Sequence, residues 1–172
     1  EEPFPRSATM KLVPDTEQKQ TRAAYADGPR LLADIGATHA RFALEIAPGV
    51  LRNVAVLLCD DYPGIVPLLN AYLAQTQAQN GGTRISHAAF ALANPISGDF
   101  IRMTNRDWQF STEEVRRTLG LTTLLIVNDF TALAMALPGF KPDDLLQIGG
   151  GKPVANAVAG VLGPGTGLGV SG

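Results

Sequence analysis

Leu31-Leu32-Ala33-Asp34-Ile35-Gly36-Ala37-Thr38-His39-Ala40-Arg41-Phe42-Ala43-Leu44-Glu45-Ile46 sets two apolar, strand-length runs around a few small and polar residues. The first run ends at Gly36 and the second begins at Arg41, a spacing that predicts an antiparallel hairpin with a small-residue loop. Pro48-Gly49 turns the chain again, and 51–58 forms a third strand, so three consecutive antiparallel strands follow from short connections. The period then changes. Ile65, Leu68, Leu69, Tyr72 and Leu73 recur at helical spacing within 62–78, and Asn80-Gly81-Gly82 ends that helix. Residues 84–93 predict a strand buried on both faces, 94–99 a turn region and 100–103 a short strand. Ser111-Thr112-Glu113-Glu114 is a capping-box start for a helix reaching Leu119-Gly120. Residues 124–127 predict a buried strand of parallel type, 129–137 a short helix stopped by Pro138-Gly139, and 154–162 a further strand entering a glycine-rich loop. A meander followed by alternating strands and helices makes an α/β domain with a mixed sheet and right-handed crossovers.

The bulk numbers bound the partners. The 172 residues, 45% of them apolar, suffice for one ordinary core. A net charge of −2 argues against a nucleic-acid surface and against a polybasic membrane patch. The single cysteine, Cys59, ends the apolar run 54–59 and reads as an inert core thiol; a chain with one thiol and no apolar leader is expected in the cytoplasm. Residues 1–29 are polar, proline-containing and without periodicity, which predicts a disordered tail, with order beginning near Arg30.

Chemistry concentrates in three places. Asp34 closes an apolar run, where a carboxylate needs a partner; it reads either as an orienter of Mg²⁺ or its waters, or as a turn-forming residue bonded to its own loop. Gly36 allows positive φ and close approach of a phosphate, and Thr38 adds a hydroxyl and an N–H. Asn128-Asp129 stands where a strand becomes a helix. One of the two caps that helix, or Asp129 is a general base and Asn128 holds a neighbouring substrate hydroxyl; both can be true, since a helix N-terminus accommodates a carboxylate. Gly163-Pro164-Gly165-Thr166-Gly167-Leu168-Gly169 is either a plain hairpin turn or a loop whose N–H groups surround an anion. Asp34, Asn94, Asn128 and Gly163 all fall at expected strand ends, where ligands of open α/β sheets gather. Two phosphate-approachable turns around one carboxylate are the inventory of phosphoryl transfer. His39 and His87 are too isolated for a metal site, Trp108 with Phe110 reads as packing, and Arg102, Arg106, Arg116 and Arg117 as a solvated surface.

The segment 34–44 resembles the first phosphate loop of the bacterial ATP-dependent glucokinases, whose usual form is Asp-Ile-Gly-Gly-Thr-Asn-Ala-Arg. Asn94-Pro95-Ile96-Ser97-Gly98-Asp99 and Met103-Thr104-Asn105-Arg106-Asp107-Trp108-Gln109-Phe110-Ser111 are similar to further glucokinase segments. Asn128-Asp129-Phe130-Thr131-Ala132 is similar to the sugar-site motif, and 163–170 to the second phosphate loop. The resemblance runs in family order from Leu31 to Val170. It implies a ribonuclease-H-like sheet of the actin-like ATPase superfold, and transfer of the γ-phosphoryl group of ATP to the glucose 6-hydroxyl. It further implies Asp129 as the base, with Asn128 and Asn94 as sugar contacts. Ala33, Asp34, Ile35, Gly36, Ala37, Thr38, Gly163, Gly165, Thr166 and Gly167 would hold the ATP phosphates, with Asp34 placing Mg²⁺ through its waters. Residues 30–172 would be the N-terminal small domain, cut near the start of a second domain, and inactive alone. The full-length protein would take glucose and ATP as partners and form a homodimer. Ala37 stands in place of the family's second glycine, which costs about 1 kcal/mol if that position needs positive φ, and His39 in place of asparagine. The competing readings are another sugar kinase of the superfold, such as the ROK group, and a sugar-sensing protein without catalysis. Phe130-Thr131 argues against the first and Asp129 against the second.

Overall fold

The computed structural model describes residues 11–12, 22–79, 82–164 and 168–172. The predicted meander is present as β2 (Arg30–Ile35), β3 (His39–Ala47) and β4 (Val50–Leu58), after a two-residue β1 (Lys11–Leu12). Helix α1 (Ile65–Gln79) leads to β5 (His87–Leu92). A small hairpin of β6 (Phe100–Arg102) and β7 (Gln109–Ser111) precedes α2 (Thr112–Thr118), β8 (Thr123–Asn128) and α3 (Asp129–Ala136). The described chain ends with a second hairpin, β9 (Val161–Pro164) and β10 (Leu168–Ser171). The main sheet has the order β1-β4-β3-β2-β5-β8 among the described residues. β2 pairs antiparallel with β3 and parallel with β5, and β5 pairs parallel with β8, so the sheet is mixed as expected.

Alternation explains which face is inside. Leu31, Ala33 and Ile35 of β2 are buried, and Ala88, Phe90 and Leu92 of β5 match them. Helix α1 lays Ile65, Leu68, Leu69 and Tyr72 into the same core, where the Tyr72 and Phe42 rings stack at 4.8 Å. Cys59 is fully buried, and burial pushes its thiol pKa up, in keeping with an inert core thiol.

Four expectations need correction. β5 alternates between buried and half-buried residues and is not enclosed on both faces. β8 has no fully buried residue and exposes Leu125, because it borders the sheet among the described residues and α3 alone follows it closely. The strand expected over 154–162 begins only at Val161: Ala157 N–H donates to Val154 O across a turn in which Asn156 takes a positive φ of 62°, and this breaks the extended run. Within the expected tail, Lys11 and Leu12 pair with Val56 and Ala55, and Tyr25 N–H donates to Ile46 O while the Arg30 guanidinium stacks on the Tyr25 ring. Without that short strand β4 would present an open edge of unpaired backbone groups. The rest of 1–21 lies outside the described residues.

The helix start read at Ser111 is present: Ser111 Oγ accepts from Glu114 N–H. Asp99 joins the cap, since its Oδ1 accepts from Thr112 Oγ1 at 2.6 Å and from Glu113 N–H at 2.9 Å. The Ser111 and Thr112 hydroxyls and the Glu113 N–H lower its carboxyl pKa from the ordinary 3.8 to about 2. A depressed folded pKa contributes stability that is complete above the unfolded value and fades as pH falls through the folded one. Asp99→Asn is therefore expected to lower the midpoint of thermal unfolding by about 2–4 °C at neutral pH. The gap from wild type should close as the pH is taken from about 4 toward about 2, followed by circular dichroism.

Candidate active site

Register builds the site. Ile35 of β2, Leu92 of β5 and Asn128 of β8 lie in one row across three parallel strands, with Asp34, Ala91 and Val127 in the row before. The carboxyl ends of these strands therefore share one edge, and that edge brings together Asp34, Asn94, Asn128 and Asp129. Two adjoining clefts open there. One, of about 320 Å³, is lined by Ala37, Asn94, Asn105, Asn128, Asp129, Phe130 and Gly169 among others. The other, of about 350 Å³, is lined by Asp34, Ala91, Asp129, Phe130, Ala132 and Leu133. Asp129 and Phe130 border both.

Asn128, and not Asp129, caps α3: its Oδ1 accepts from Phe130 N–H at 3.0 Å and Thr131 N–H at 3.2 Å. Its Nδ2 donates to Asp129 Oδ1 at 2.9 Å and to Asn94 O at 3.2 Å, so every hydrogen and lone pair of this amide has a protein partner. Asp129 Oδ1 also accepts from Phe130 N–H at 2.9 Å. Asp129 is thus held by one oxygen, and its Oδ2 has no protein partner among the described residues. Asn94 is buried, donates through Nδ2 to Pro95 O and accepts at Oδ1 from Thr104 N–H, so its amide first of all braces the cleft wall.

Asp34 has the partner that its place at the end of an apolar run called for. It is half-exposed, and its Oδ2 pairs with Arg41 Nη1 at 2.9 Å, leaving Oδ1 without a protein partner among the described residues. Gly36, Ala37 and Thr38 form the turn between β2 and β3, tied by Gly36 N–H to His39 O and by Cys59 N–H to Thr38 O. Neither Gly36 nor Ala37 takes positive φ; a Cβ at Gly36 would stand 3.3 Å from His39 O, so this glycine answers a close approach. The alanine at 37 therefore carries no left-handed strain.

Two residues of the site escape a reading by type. Arg106 is not part of a solvated surface: its guanidinium reaches Ala37 O and Asp60 and stacks on Trp108. Phe130 lies on the β9–β10 hairpin, where Gly163 and Gly169 face each other. A Cβ on Gly163 would come within 2.9 Å of the Phe130 ring, and one on Gly169 would fall inside the ring's own space. The signal for Phe130 was an aromatic beside the acid together with a distant glycine pair. The hairpin brings Gly169 to the cleft that Asp129 borders and Gly163 against the Phe130 ring, while Gly165, Thr166 and Gly167 lie outside the described residues.

With this geometry in place, the comparisons with known proteins are specific. The family model for glucokinase matches residues 31–172. The chain belongs to the glucokinase family. It is 56% identical over 158 residues to the "Bifunctional protein glk" of Paraburkholderia xenovorans, covering 89% of this chain and 24% of that protein. It is 55% identical over 148 residues to the glucokinase of Neisseria gonorrhoeae, covering 86% of this chain and 44% of that protein. A glucokinase crystal structure from an Antarctic psychrotroph superposes with a TM-score of 0.72 at 30% identity, over 85% of this chain and 46% of that one. The chain thus spans less than half the length of these proteins. The mixed sheet and the glucokinase fold expected from the resemblance are borne out.

Because the Phe130 ring occupies the space over Gly169, Gly169→Ala is expected to destabilise the full-length protein by about 1–3 kcal/mol in chemical denaturation. In a Phe130→Ala background the same substitution should be nearly neutral. A coupling on the order of 1 kcal/mol or more from the double-mutant cycle would record the contact.

Proposed function

We propose that this glucokinase-family chain is the phosphate-gripping, base-carrying part of a kinase that transfers the γ-phosphoryl group of ATP to the 6-hydroxyl of glucose. The observation that carries the reading is Asp129, fixed through Oδ1 and open through Oδ2, at the border of two adjoining clefts, one lined by Asp34 and the other by Ala37 and the glycine hairpin. As the sugar oxygen bonds to phosphorus and the bond to the departing ADP oxygen breaks, the hydroxyl proton passes to Asp129 Oδ2. Asn128 holds Asp129 in place. Its longer Nδ2 bond, 3.2 Å to Asn94 O against 2.9 Å to Asp129, is the one a sugar hydroxyl would take over. The Ala37 and Thr38 N–H groups, which donate to no protein acceptor among the described residues, would meet phosphate oxygens, and the β9–β10 hairpin would meet them from the other side.

Mg²⁺, bound with the nucleotide, neutralises charge on the phosphates. Asp34, with one oxygen on Arg41 and the other free of protein partners, fits a carboxylate that receives the ion's waters. The remaining sugar contacts and the adenine pocket are assigned to the part of the full-length protein that these relatives have beyond the matched region. A cytoplasmic setting at the start of glucose breakdown and a homodimer belong to the same reading. Among the described residues no helix is long and apolar enough to cross a membrane.

Asp129→Asn in the full-length protein is the test. The expected result is a loss of about 10²–10⁴ in kcat for ATP-dependent glucose phosphorylation, with the KM for glucose changed only a few-fold. A weakened glucose affinity with kcat retained would make Asp129 a ligand contact and favour a sugar sensor. A wild-type protein that binds glucose without turnover would do the same.

A further inference from the structure

Arg106 ties together three parts of the fold. Its Nε and Nη2 donate to the single acceptor Ala37 O at 3.2 and 2.6 Å. Nη2 also donates to Asp60 Oδ1 at 2.7 Å, and the guanidinium carbon sits 4.4 Å from the centre of the Trp108 ring. Only 10% of the Arg106 side chain is exposed, against 82% for Asp60. A guanidinium held this far from water is stable only where its donors are used and its plane is packed. Here the acceptor is a backbone carbonyl at the tip of the β2–β3 turn, 69 residues away in sequence.

We propose that Arg106 is a positioning residue for the nucleotide: by gripping Ala37 O it aims the opposite side of that peptide, the Thr38 N–H, at the ATP phosphates. This rests on the kinase reading above and adds a residue and a device to it. A trans peptide is planar, so its C=O and the following N–H point in opposite directions, and fixing one fixes the other. The Ala37 and Thr38 N–H groups donate to no protein acceptor among the described residues, and Ala37 lines the Asp129 cleft. A carbonyl that accepts charged hydrogen bonds polarises its peptide and strengthens the N–H donor on the far side. Arg106 thereby lends charge to a phosphate contact while its Nε–H and both Nη2 hydrogens are engaged by Ala37 and Asp60. The same segment reaches the sugar side as well: Thr104 N–H donates to Asn94 Oδ1, and Asn94 O accepts from Asn128 Nδ2.

The test compares Arg106→Ala, Arg106→Lys and Asp60→Asn with wild type in the full-length protein. Binding of Mg·ATP and of glucose is read separately by calorimetry, beside the two KM values and the thermal midpoint. Arg106→Ala is expected to weaken Mg·ATP binding about 10-fold or more while glucose binding stays within about 2-fold. Arg106→Lys, a point charge that cannot keep the forked grip, should fall in between. Asp60→Asn, at an exposed site, should weaken Mg·ATP by about 2–5-fold with the thermal midpoint little changed. Unchanged Mg·ATP affinity in folded Arg106→Lys and Asp60→Asn would overturn the proposal. So would ATP and glucose affinities that fall together in step with the thermal midpoint, since that marks a structural role alone. If wild type binds Mg·ATP but leaves glucose unphosphorylated, the glucose reading fails, while the ATP comparison still decides the role of Arg106.

Discussion

The parallel register of β2, β5 and β8 is the constraint on which everything else rests. Burying one Leu, Ile or Phe side chain is worth about 1.5–3 kcal/mol, and Leu31, Ile35, Phe90 and Leu92 are all buried along the two inner strands. A slip of one residue would turn these side chains outward and Asp34 inward. The combined penalty exceeds any hydrogen bond in the cleft, so the hydrophobic alternation holds the polar edge in place. The carboxyl ends then coincide, and Asp34 and Asp129, 95 positions apart in the chain, border one cleft.

Upon that frame a single polar path fixes the site's own geometry. It runs from the 36–38 turn through Arg106 and the 103–108 segment to Asn94, then through Asn128 to Asp129. Each link is a side chain bonded to backbone or to another side chain with a defined partner, which leaves few alternative rotamers. On the proposed kinase reading rigidity here is the relevant property, because phosphoryl transfer depends on positioning more than on covalent chemistry. Phe130 extends the path sideways by seating the glycine hairpin against the helix that carries Asp129.

What could be read from the chain was what is local. The meander follows from period-2 alternation cut by Gly36 and by Pro48-Gly49, and the α2 start from the Ser111–Glu114 cap, a bond made within one turn of helix. The candidate positions 34, 128 and 129 stood out because they fall where apolar runs end, and the resemblance implied roles for them. Arg106 was not legible: between Asn105 and Asp107 it has a surface composition, and besides the nearby Trp108 its guanidinium is held by Ala37 and Asp60, which arrive from two distant places in the chain. Asn128 was legible by its place and as a candidate cap, but not in its bonding: its amide is wholly engaged by Asn94, Asp129 and the α3 backbone. The strand expected over 154–162 fails because apolar composition alone does not form a strand without a partner, and Asn156 turns the chain first.

The most direct measurement is a crystal structure of the full-length protein with glucose and a non-hydrolysable ATP analogue. The account predicts the glucose 6-hydroxyl within about 3 Å of Asp129 Oδ2. It also predicts phosphate oxygens on the Thr38 N–H and against the β9–β10 hairpin, with Arg106 still on the Ala37 carbonyl. A nucleotide bound away from the 36–38 turn, or a sugar whose 6-hydroxyl lies out of reach of Asp129, would contradict it.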